Sequence, residues 1–438
     1  MEMLDIEVFE GGFKETELGP LPEEWEVVRL GEILEEKNEK VGDYDFKDIV
    51  ILSITSKDGL IEQNRKFKHR VASQNISNYK LVRRGELVYG FPIDEGVIAF
   101  LWRYEMGAVS PAYYTWKLKN PEKTYYIFLD YLLRTPIILN LFKPFISNTV
   151  HRRKIIKPHD FKQISIPLPP LEEQKAIAGI LSTVQSDIEK TEKVINALKN
   201  LKKSMMKHLF TYGPVAEEEA EKVELKETEI GLIPKHWEVV RLGEVYNITK
   251  KPKGLRIENY DAVPFVPMEG IGIGAFSVNF IIKDPEEISS GTYFEKGDLL
   301  LAKITPSFEN GKQAIADNIP IDFGIATTEV IPIKQTEKGL ISYLFYYLQK
   351  PDVRQSLASK MEGTTGRQRL PKEALLNTLI PLPSLEEQQK IAQILQNTDQ
   401  RIEKEEKYKN ALQNLFKSLL HNLMTGKIRV RVKSHGED

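Results

Sequence analysis

Apolar residues in two stretches of the chain follow the spacing of amphipathic helices. Their positions alternate between steps of three and four, as in a coiled-coil seam, and the seam shifts once near position 200, as at a stammer. The pattern predicts two long helices that end near Phe210 and Met424. Each helix has a single apolar stripe, so each needs a partner. The seam residues are Ile177, Leu181, Val184, Ile188, Ile195, Leu198, Leu201, Met205 and Leu209 in the first helix, and Ile391, Leu395, Ile402, Leu412, Leu415, Leu419 and Leu423 in the second.

Short apolar segments, broken by glycine and proline, fill about 150 residues before each helix. Segments such as ELVYGFP, GVIAFLW and DLLLAKI are rich in β-branched and aromatic residues, which favours strands. Two further stretches, YYIFLDYLLRTPIILNLF and LISYLFYYLQKPDVRQSLASKM, indicate shorter helices. The predicted fold class is therefore α+β, with two globular domains of mixed helix and strand separated by two long helices.

The chain carries the same sequence twice. FKETELGPLPEEWEVVRLGEI, which begins at Phe13, matches LKETEIGLIPKHWEVVRLGEV, which begins at Leu225. PLPPLEEQKAIAGIL and PLPSLEEQQKIAQIL are the second matching pair. The offset stays between 212 and 215 residues, so a unit of about 210 residues has been duplicated in tandem. Trp25 and Trp237 occupy equivalent places and are interpreted as core or junction residues rather than ligand contacts.

Two copies of one unit close most economically around a pseudo-two-fold axis. We therefore expect the helices to pair as an antiparallel coiled coil, with the globular domains at opposite ends. Two independent helical tails, or a coil between two chains, would also bury the stripes. The predicted domains are 1–168 and 231–382, the spacer helices are 169–212 and 383–426, and the connections are an acidic linker at 213–230 and a tail at 427–438.

Composition narrows the class of protein. Of the 438 residues, 41% are hydrophobic, which is typical of a folded protein, and none is cysteine. Disulfides, thiol catalysis and cysteine-bound zinc are therefore excluded. The N-terminal segment MEMLDIEVFEGG is acidic and unlike a secretory signal. Because no apolar run approaches the roughly 18 residues that span a membrane, we expect a cytoplasmic protein.

The sequence contains no recognisable catalytic constellation. It has no GxxxxGK[ST] phosphate loop, no HExxH zinc motif and no Asn/Asp-Pro-Pro-aromatic motif of amino-methyltransferases. The glycine-rich GIGIGAF is interpreted as a tight turn. Asp399, Glu405 and Lys407 have nuclease-like spacing, but they fall on a predicted helix and are interpreted as solvated charges. The sequence therefore predicts a binding protein rather than an enzyme, with no metal or cofactor of its own.

Charge is unevenly distributed along a chain whose formal net charge is −2. Residues 1–50 carry about 11 net negative charges and residues 51–165 about 10 net positive ones, which favours a basic face for a polyanion. Arginine and glutamine can read bases, whereas lysine more often contacts phosphates. For each cluster the alternative is an ordinary solvated charge. The candidate DNA contacts are Arg65, Lys66, Lys68, His69 and Arg70 around Phe67, then Thr149, Arg152, Arg153 and Lys154, and in the second half Lys250, Lys251, Lys253, Arg256, Thr364, Thr365, Arg367, Gln368 and Arg369.

The repeated motifs resemble those of the specificity subunits of type I restriction–modification systems. The resemblance covers Phe13 to about Lys427 and is most specific in IPLPPLEEQKAIAGIL, IPLPSLEEQQKIAQIL and the two KETExG…W…RLGE openings. It implies that each globular domain is a target recognition domain for one half of a bipartite DNA sequence. It also implies that the helices form a spacer that docks two modification subunits. GTTGRQRL is similar to the family's GTTxxRxxL-like segment, whereas SNTVHRRKI in the first half lacks the glycine.

By this resemblance, AdoMet, ATP and magnesium are expected on partner subunits, and restriction subunits would be further partners if the system includes them. Because the two modules have diverged, we expect an asymmetric target with two different halves. The alternative is a coiled-coil assembly scaffold whose globular domains bind protein. A salt dependence of DNA binding near zero would favour the scaffold, because phosphate contacts release counterions.

Overall fold

The computed structural model describes residues 6–44, 49–66, 75–148, 154–364 and 366–432. Contacts divide the chain into two compact units. The first comprises Met1–Glu192 and Lys407–Asp438, and the second comprises Lys193–Glu406. Each unit therefore contains one globular domain and part of each long helix. Parts of both long helices pack into the hydrophobic cores of the two units.

The two long helices run Leu171–Tyr212 and Leu385–Met424. Both begin two residues later than the predicted starts at 169 and 383. The first backbone N–H of the helical ladder, from Gln174, donates to the carbonyl of Pro170 at 3.0 Å, so this proline lies just outside the helix. Proline has no N–H to contribute and is tolerated at this boundary.

Within the second unit, segments of the two long helices pair in antiparallel directions. The Lys199 ammonium lies 2.6 Å from a Glu406 carboxylate oxygen, and the Lys202 ammonium lies 2.7 Å from Asp399. As residue numbers rise along the first helix, those of their partners fall along the second. The predicted antiparallel pairing is confirmed for these segments.

The predicted seam is wrong at two positions, because Leu201 is 50% exposed and Leu415 is 47% exposed. Next to Leu201, the side chain of Lys202 turns inward and is only 16% exposed, where it pairs with Asp399. Asp399 is itself only 19% exposed, so its interpretation as a solvated charge is also wrong. Next to Leu415, the ring of Phe416 packs 6.0 Å from the ring of Tyr131.

A four-stranded antiparallel sheet has the same strand order in both units. Equivalent strands begin 212 to 216 residues apart, which confirms the internal repeat and the α+β class. The sheet of the first unit contains Ile98–Phe100, Leu87–Tyr89, Tyr114–Leu118 and Leu34–Lys37 in that order. The sheet of the second unit contains Gln313–Ile315, Leu299–Ala302, Val330–Lys334 and Asn247–Ile248.

The segments inserted between these strands differ between the units. The first unit has two pairs of strands there, Leu52–Thr55 with Gly59–Glu62 and Lys80–Arg83 with Met106–Val109. The second unit has a further four-stranded sheet in the order Ile281–Lys283, Val263–Val266, Phe323–Ala326 and Thr292–Glu295.

The remaining elements are short. The other strand pairs are Ile6–Phe9 with Arg429–Val432, Phe13–Thr16 with Gly19–Pro22, Glu26–Arg29 with Ser165–Leu168, Ser147–Asn148 with Lys154–Ile155, Leu225–Thr228 with Gly231–Pro234, and Glu238–Arg241 with Leu379–Leu382. The short α-helices are Leu30–Ile33, Gln63–Lys66, Tyr126–Leu133, Pro136–Phe142, Pro158–Phe161, Leu242–Val245, Ile341–Tyr347, Pro351–Ala358 and Lys372–Leu376. The 3-10 helices are Val41–Asp43, Ile93–Glu95, Lys143–Phe145, Glu217–Lys222, Ile257–Asn259, Met268–Gly270 and Pro285–Glu287. In the described part of the chain, no helix is both long enough and apolar enough to cross a membrane.

Candidate nucleic-acid interface

The two repeated motifs meet as paired strands in each unit. Glu26–Arg29, from the WEVVRLGE motif, pairs antiparallel with Ser165–Leu168, from the IPLP motif. Glu238–Arg241 pairs with Leu379–Leu382 in the same way. The motifs therefore close each domain at the place where its long helix begins. The segments that differ between the units lie in the sequence between these motifs.

The glutamine of each LEEQ motif is fully buried. The side-chain oxygen of Gln174 accepts the Tyr125 N–H at 2.8 Å, and its amide nitrogen donates to the carbonyls of Lys123 and Pro169 at 3.0 and 2.7 Å. Gln388 makes the same set of hydrogen bonds in the second unit. Its partners are the Leu340 N–H and the carbonyls of Lys338 and Pro383, at 2.9, 3.0 and 3.0 Å. Each glutamine thus ties the long helix to the segment that precedes a domain helix.

The second glutamate of each LEEQ motif accepts a hydrogen bond from a buried tryptophan. Trp25 donates its indole N–H to Glu173 at 2.9 Å, and Trp237 donates to Glu387 at 3.0 Å. Both indoles are fully buried, which confirms their interpretation as core residues. In the first unit the Arg429 guanidinium also binds Glu173, at 2.7 and 2.9 Å. The repeated motifs therefore build a structural junction.

A closed loop near the end of the second domain carries the predicted contacts at 364–369. Its ends are joined by backbone hydrogen bonds of 2.9 and 2.8 Å between Glu362 and Arg369. Thr364 and Arg367 are exposed on this loop and Gln368 is half-buried, whereas Thr365 lies outside the described residues. The loop therefore presents at least two predicted polar contacts to solvent.

Arg369 is already paired within the protein. Its Nε and Nη2 donate to the two carboxylate oxygens of Glu329 at 2.9 and 2.7 Å. The guanidinium hydrogen bond from Arg369 holds the pKa of Glu329 below its usual value. Lys303 and Lys372 lie close enough for their charges to affect one another, and burial lowers the pKa of Lys303. The sequence analysis missed Glu329 and Lys303, because each is distant in sequence from the motif at 364–369.

The corresponding place in the first domain is built differently. Ser147–Asn148 pairs with Lys154–Ile155, and the predicted contacts Thr149, Arg152 and Arg153 between them lie outside the described residues. The Lys154 ammonium lies 2.7 Å from the Asp94 carboxylate, whose hydrogen bond raises the lysine pKa. A lysine–aspartate pair therefore occupies the place of the arginine–glutamate pair.

The remaining predicted contacts lie on other segments. Lys250, Lys251, Lys253 and Arg256 are all exposed, and none of them forms an ion pair with a described residue. Arg65 and Lys66 belong to helix Gln63–Lys66, and the structure describes only their backbone. The predicted contacts Lys68, His69 and Arg70, together with Phe67, lie outside the described residues.

The long helices expose one apolar pair in each unit. Val194 and Leu201, seven residues apart, are 42% and 50% exposed in the second unit. Tyr408 and Leu415, also seven residues apart, are 51% and 47% exposed in the first unit. The pairs occupy equivalent places in the repeat, because the offset is 214 residues. The repeat itself is the signal by which the sequence could have identified them.

No three His, Asp or Glu side chains are grouped to hold a metal ion in the part of the chain that the structure describes.

The family model described as type I restriction modification DNA specificity domain matches residues 22–200 and again residues 234–414. The specificity subunit of the type I restriction enzyme MjaVIII from Methanocaldococcus jannaschii is 31% identical over 440 residues, covering 96% of this chain and 97% of the relative. The MjaIX specificity subunit from the same organism is 30% identical over 446 residues, covering 96% and 98%.

The fold is also similar to a solved structure. The crystal structure of a type I restriction-modification system S subunit from M. genitalium aligns over 91% of this chain and 96% of that chain, with a TM-score of 0.56 and 16% identity. This likeness shows a shared fold. The two family matches and the relatives that align along almost the whole chain establish that the chain belongs to the type I restriction modification DNA specificity domain family.

Proposed function

We propose that this chain is the DNA specificity subunit of a type I restriction–modification complex, in which each globular domain reads one half of a bipartite target. The observation that carries the proposal is the double family match, one match for each copy of the repeat. Relatives that align along almost the whole chain are named specificity subunits. The chain is accordingly a recognition subunit rather than a catalytic one.

The two domains present different polar surfaces, which supports an asymmetric target. The second domain exposes Arg367 on a closed loop and Lys251 on a separate basic segment. The first domain has a lysine in place of Arg369, within a segment that lacks the glycine of the second copy. Lysines on these segments would hold phosphates, and arginine or glutamine would reach base edges. We therefore propose that the basic and polar residues predicted from the sequence are the DNA contacts.

The repeated apolar pair on the long helices supports docking of two copies of one partner. Val194 and Leu201 form one copy of the pair, and Tyr408 and Leu415 form the other. Exposed apolar residues that recur at the same place in each repeat suit the binding of one copy of the same partner at each repeat. We propose two modification subunits as these partners, with AdoMet, ATP and magnesium bound by partner subunits in the cytoplasm.

The proposed function is tested by mapping methylated bases in a host that expresses this chain with its neighbouring modification subunit. We expect a methylated motif of two unlike half-sites at a fixed spacing. Omitting this chain is the control and should remove the motif. If the modification subunit is active yet no motif depends on this chain, the proposal is wrong and the protein-binding scaffold is favoured.

Docking is tested by native mass measurement of complexes carrying Leu201→Glu, Leu415→Glu or both. A charge in an apolar contact opposes burial. We expect each single variant to lose one modification subunit and the double variant to lose both. Lys203→Glu on the same helix is a matched control, because Lys203 is exposed and already polar. Full assembly of the double variant would exclude this docking surface.

A further inference from the structure

We infer that Glu329 is a positioning residue for base recognition and that it aims the Arg369 guanidinium at a guanine in the half-site read by the second domain. The inference rests on the proposed function and concerns how one contact within it achieves base specificity. It is carried by the geometry of the Arg369–Glu329 pair.

The pair leaves one edge of the guanidinium available. A guanidinium has five N–H donors in one plane. Arg369 uses Nε and one hydrogen of Nη2 for the Glu329 carboxylate, at 2.9 and 2.7 Å. The two hydrogens of Nη1 and the second hydrogen of Nη2 have no hydrogen-bond partner among the described residues. The Arg369 side chain is 48% exposed, so this edge can be reached from solvent.

The free edge matches one base in particular. Two parallel N–H donors of an arginine bind the O6 and N7 acceptors of guanine in the major groove. A freely rotating arginine can turn toward the acceptors of other bases, whereas an arginine fixed in advance presents its two donors in one orientation and therefore discriminates better between bases. Glu329 fixes the plane of the guanidinium by holding its opposite edge.

The backbone keeps the two residues in register. The Lys303 N–H donates to the Glu329 carbonyl at 2.9 Å, and the Leu370 N–H donates to the Lys303 carbonyl at 2.8 Å. The Thr305 N–H donates to the Gln368 carbonyl at 3.0 Å. A single segment, residues 303–305, therefore binds both the residue that precedes Arg369 and the residue that positions it. The pair is built into the domain rather than formed by two mobile side chains.

The net charge around the pair also suits a nucleic acid. Lys303 is close enough to both Arg369 and Lys372 for its charge to interact with theirs, so two further cations lie around the Arg369–Glu329 pair. Lysines beside a base-reading arginine can contact the phosphates on either side. At the position equivalent to Arg369 in the first domain, Lys154 is a point donor held by Asp94 and has no planar fork.

The test measures the base preference of the complex with its modification subunit. Competition binding uses the wild-type target duplex and duplexes in which one base pair of the second half-site is replaced. With Arg369→Lys, preference for one guanine should fall roughly tenfold or more, because one bidentate contact discriminates by about 1–3 kcal/mol. With Glu329→Ala, preference for the same guanine should fall by a similar factor. Total affinity for DNA should be unchanged or higher, because a negative charge has been removed.

A loss of base preference without a loss of total affinity distinguishes a positioning role from a structural one. Loss of a structural role would weaken binding to all duplexes alike. Glu329→Gln keeps an acceptor for one N–H and should restore part of the preference. Asp94→Ala, which removes the counterpart acid in the first domain, is the matched control and should leave this guanine preference intact. If Glu329→Ala keeps full preference at every position of the second half-site, the inference is overturned while the proposed function stands. A wild-type complex that selects no target at all would instead overturn the proposed function.

Discussion

Glu173 and Glu387 occupy the same place in the two units, yet they have different surroundings. Each accepts the indole N–H of the equivalent tryptophan. The Glu173 side chain is 3% exposed and is held by both edge donors of Arg429. The Glu387 side chain is 21% exposed and is bound instead by His236 and by Ser384.

Part of the difference follows from one substitution at the start of the second long helix. Ser384 forms a capping box with Glu387, because its hydroxyl accepts the Glu387 N–H at 3.3 Å and its own N–H donates to the carboxylate at 3.1 Å. The first copy has Pro170 at this place, which has neither a hydroxyl nor an N–H. There the distant Arg429 supplies the missing donors. The same junction can thus be stabilised by a local cap or by an arginine from the other end of the chain.

The largest expected effect is on the buried pair. Glu173→Ala leaves the Arg429 guanidinium buried and without its main partner, so the free energy of unfolding should fall by about 3–5 kcal/mol. Glu387→Ala removes a partly exposed carboxylate and should cost about 1–2 kcal/mol. Urea unfolding of the two full-length variants measures both. Equal losses would show that burial of the pair does not distinguish the two junctions.

The second prediction concerns the part of the junction that the units share. Gln174→Ala and Gln388→Ala each leave a buried backbone N–H and buried carbonyls without partners, at a cost of about 2–3 kcal/mol. Because the two glutamines make matching hydrogen bonds, the losses should be equal within about 0.5 kcal/mol. Gln393 is exposed on the same helix as Gln388, so its substitution by alanine is a control that should have little effect. Unequal losses would mean that the shared motif has different roles in the two units.

The sequence predicts this junction in part. Repetition of WEVVRLGE and IPLPxLEEQ identifies the residues that matter, and heptad spacing predicts the two helices. It does not show that the two motifs pair as strands, because about 130 residues separate them within each copy. The inward placement of Lys202 was also missed, since a lysine on a helix is usually solvated and only the three-dimensional position of Asp399 accounts for its burial.

The third prediction concerns acid sensitivity of the second unit. Burial opposes ionisation of Glu387, but hydrogen bonds from His236, Trp237 and Ser384 outweigh it and hold the pKa below its usual 4.5. The unfolded chain therefore binds a proton more readily, so this carboxylate stabilises the fold above pH 4.5 and the contribution is lost as pH falls through the folded pKa. Thermal unfolding between about pH 6 and pH 3 should show a smaller decline for Glu387→Gln than for the wild type.

Glu386→Gln is the control for that measurement, because the Glu386 side chain is 79% exposed and its ion-pair partner among the described residues is the neighbouring Lys390. Its acid dependence should stay close to that of the wild type. An unchanged decline in Glu387→Gln would show that the junction carboxylate does not govern acid sensitivity.

The smallest expected effect compares two lysines in the proposed DNA interface. Lys251 is exposed and forms no ion pair with a described residue, whereas Lys154 is paired with Asp94. Log affinity falls as log salt concentration rises. If Lys251 contacts a phosphate, Lys251→Gln should make this negative slope less steep by about 0.9. Lys154→Gln should change the slope less, because this lysine is already partly neutralised. A larger change for Lys154 would reverse the comparison.

The candidate interface was less predictable than the junction. Basic clusters at 250–256 and 364–369 could be identified from composition, and the described lysines at 250–253 are indeed exposed. Whether a basic side chain is free or paired depends on residues from other strands. Arg369 shows this directly, because Glu329 lies 40 positions earlier and no local pattern connects the two.

We propose that the repeated motifs form a common frame and that the sequence between them carries specificity. The most direct test replaces residues 242–378 with residues 30–164, so that both paired strands of the second junction are kept and both domains have the first recognition sequence. Methylated bases are then mapped with the modification subunit present. We expect a methylated motif that contains the first half-site twice. Methylation that still reports the original second half-site would contradict it.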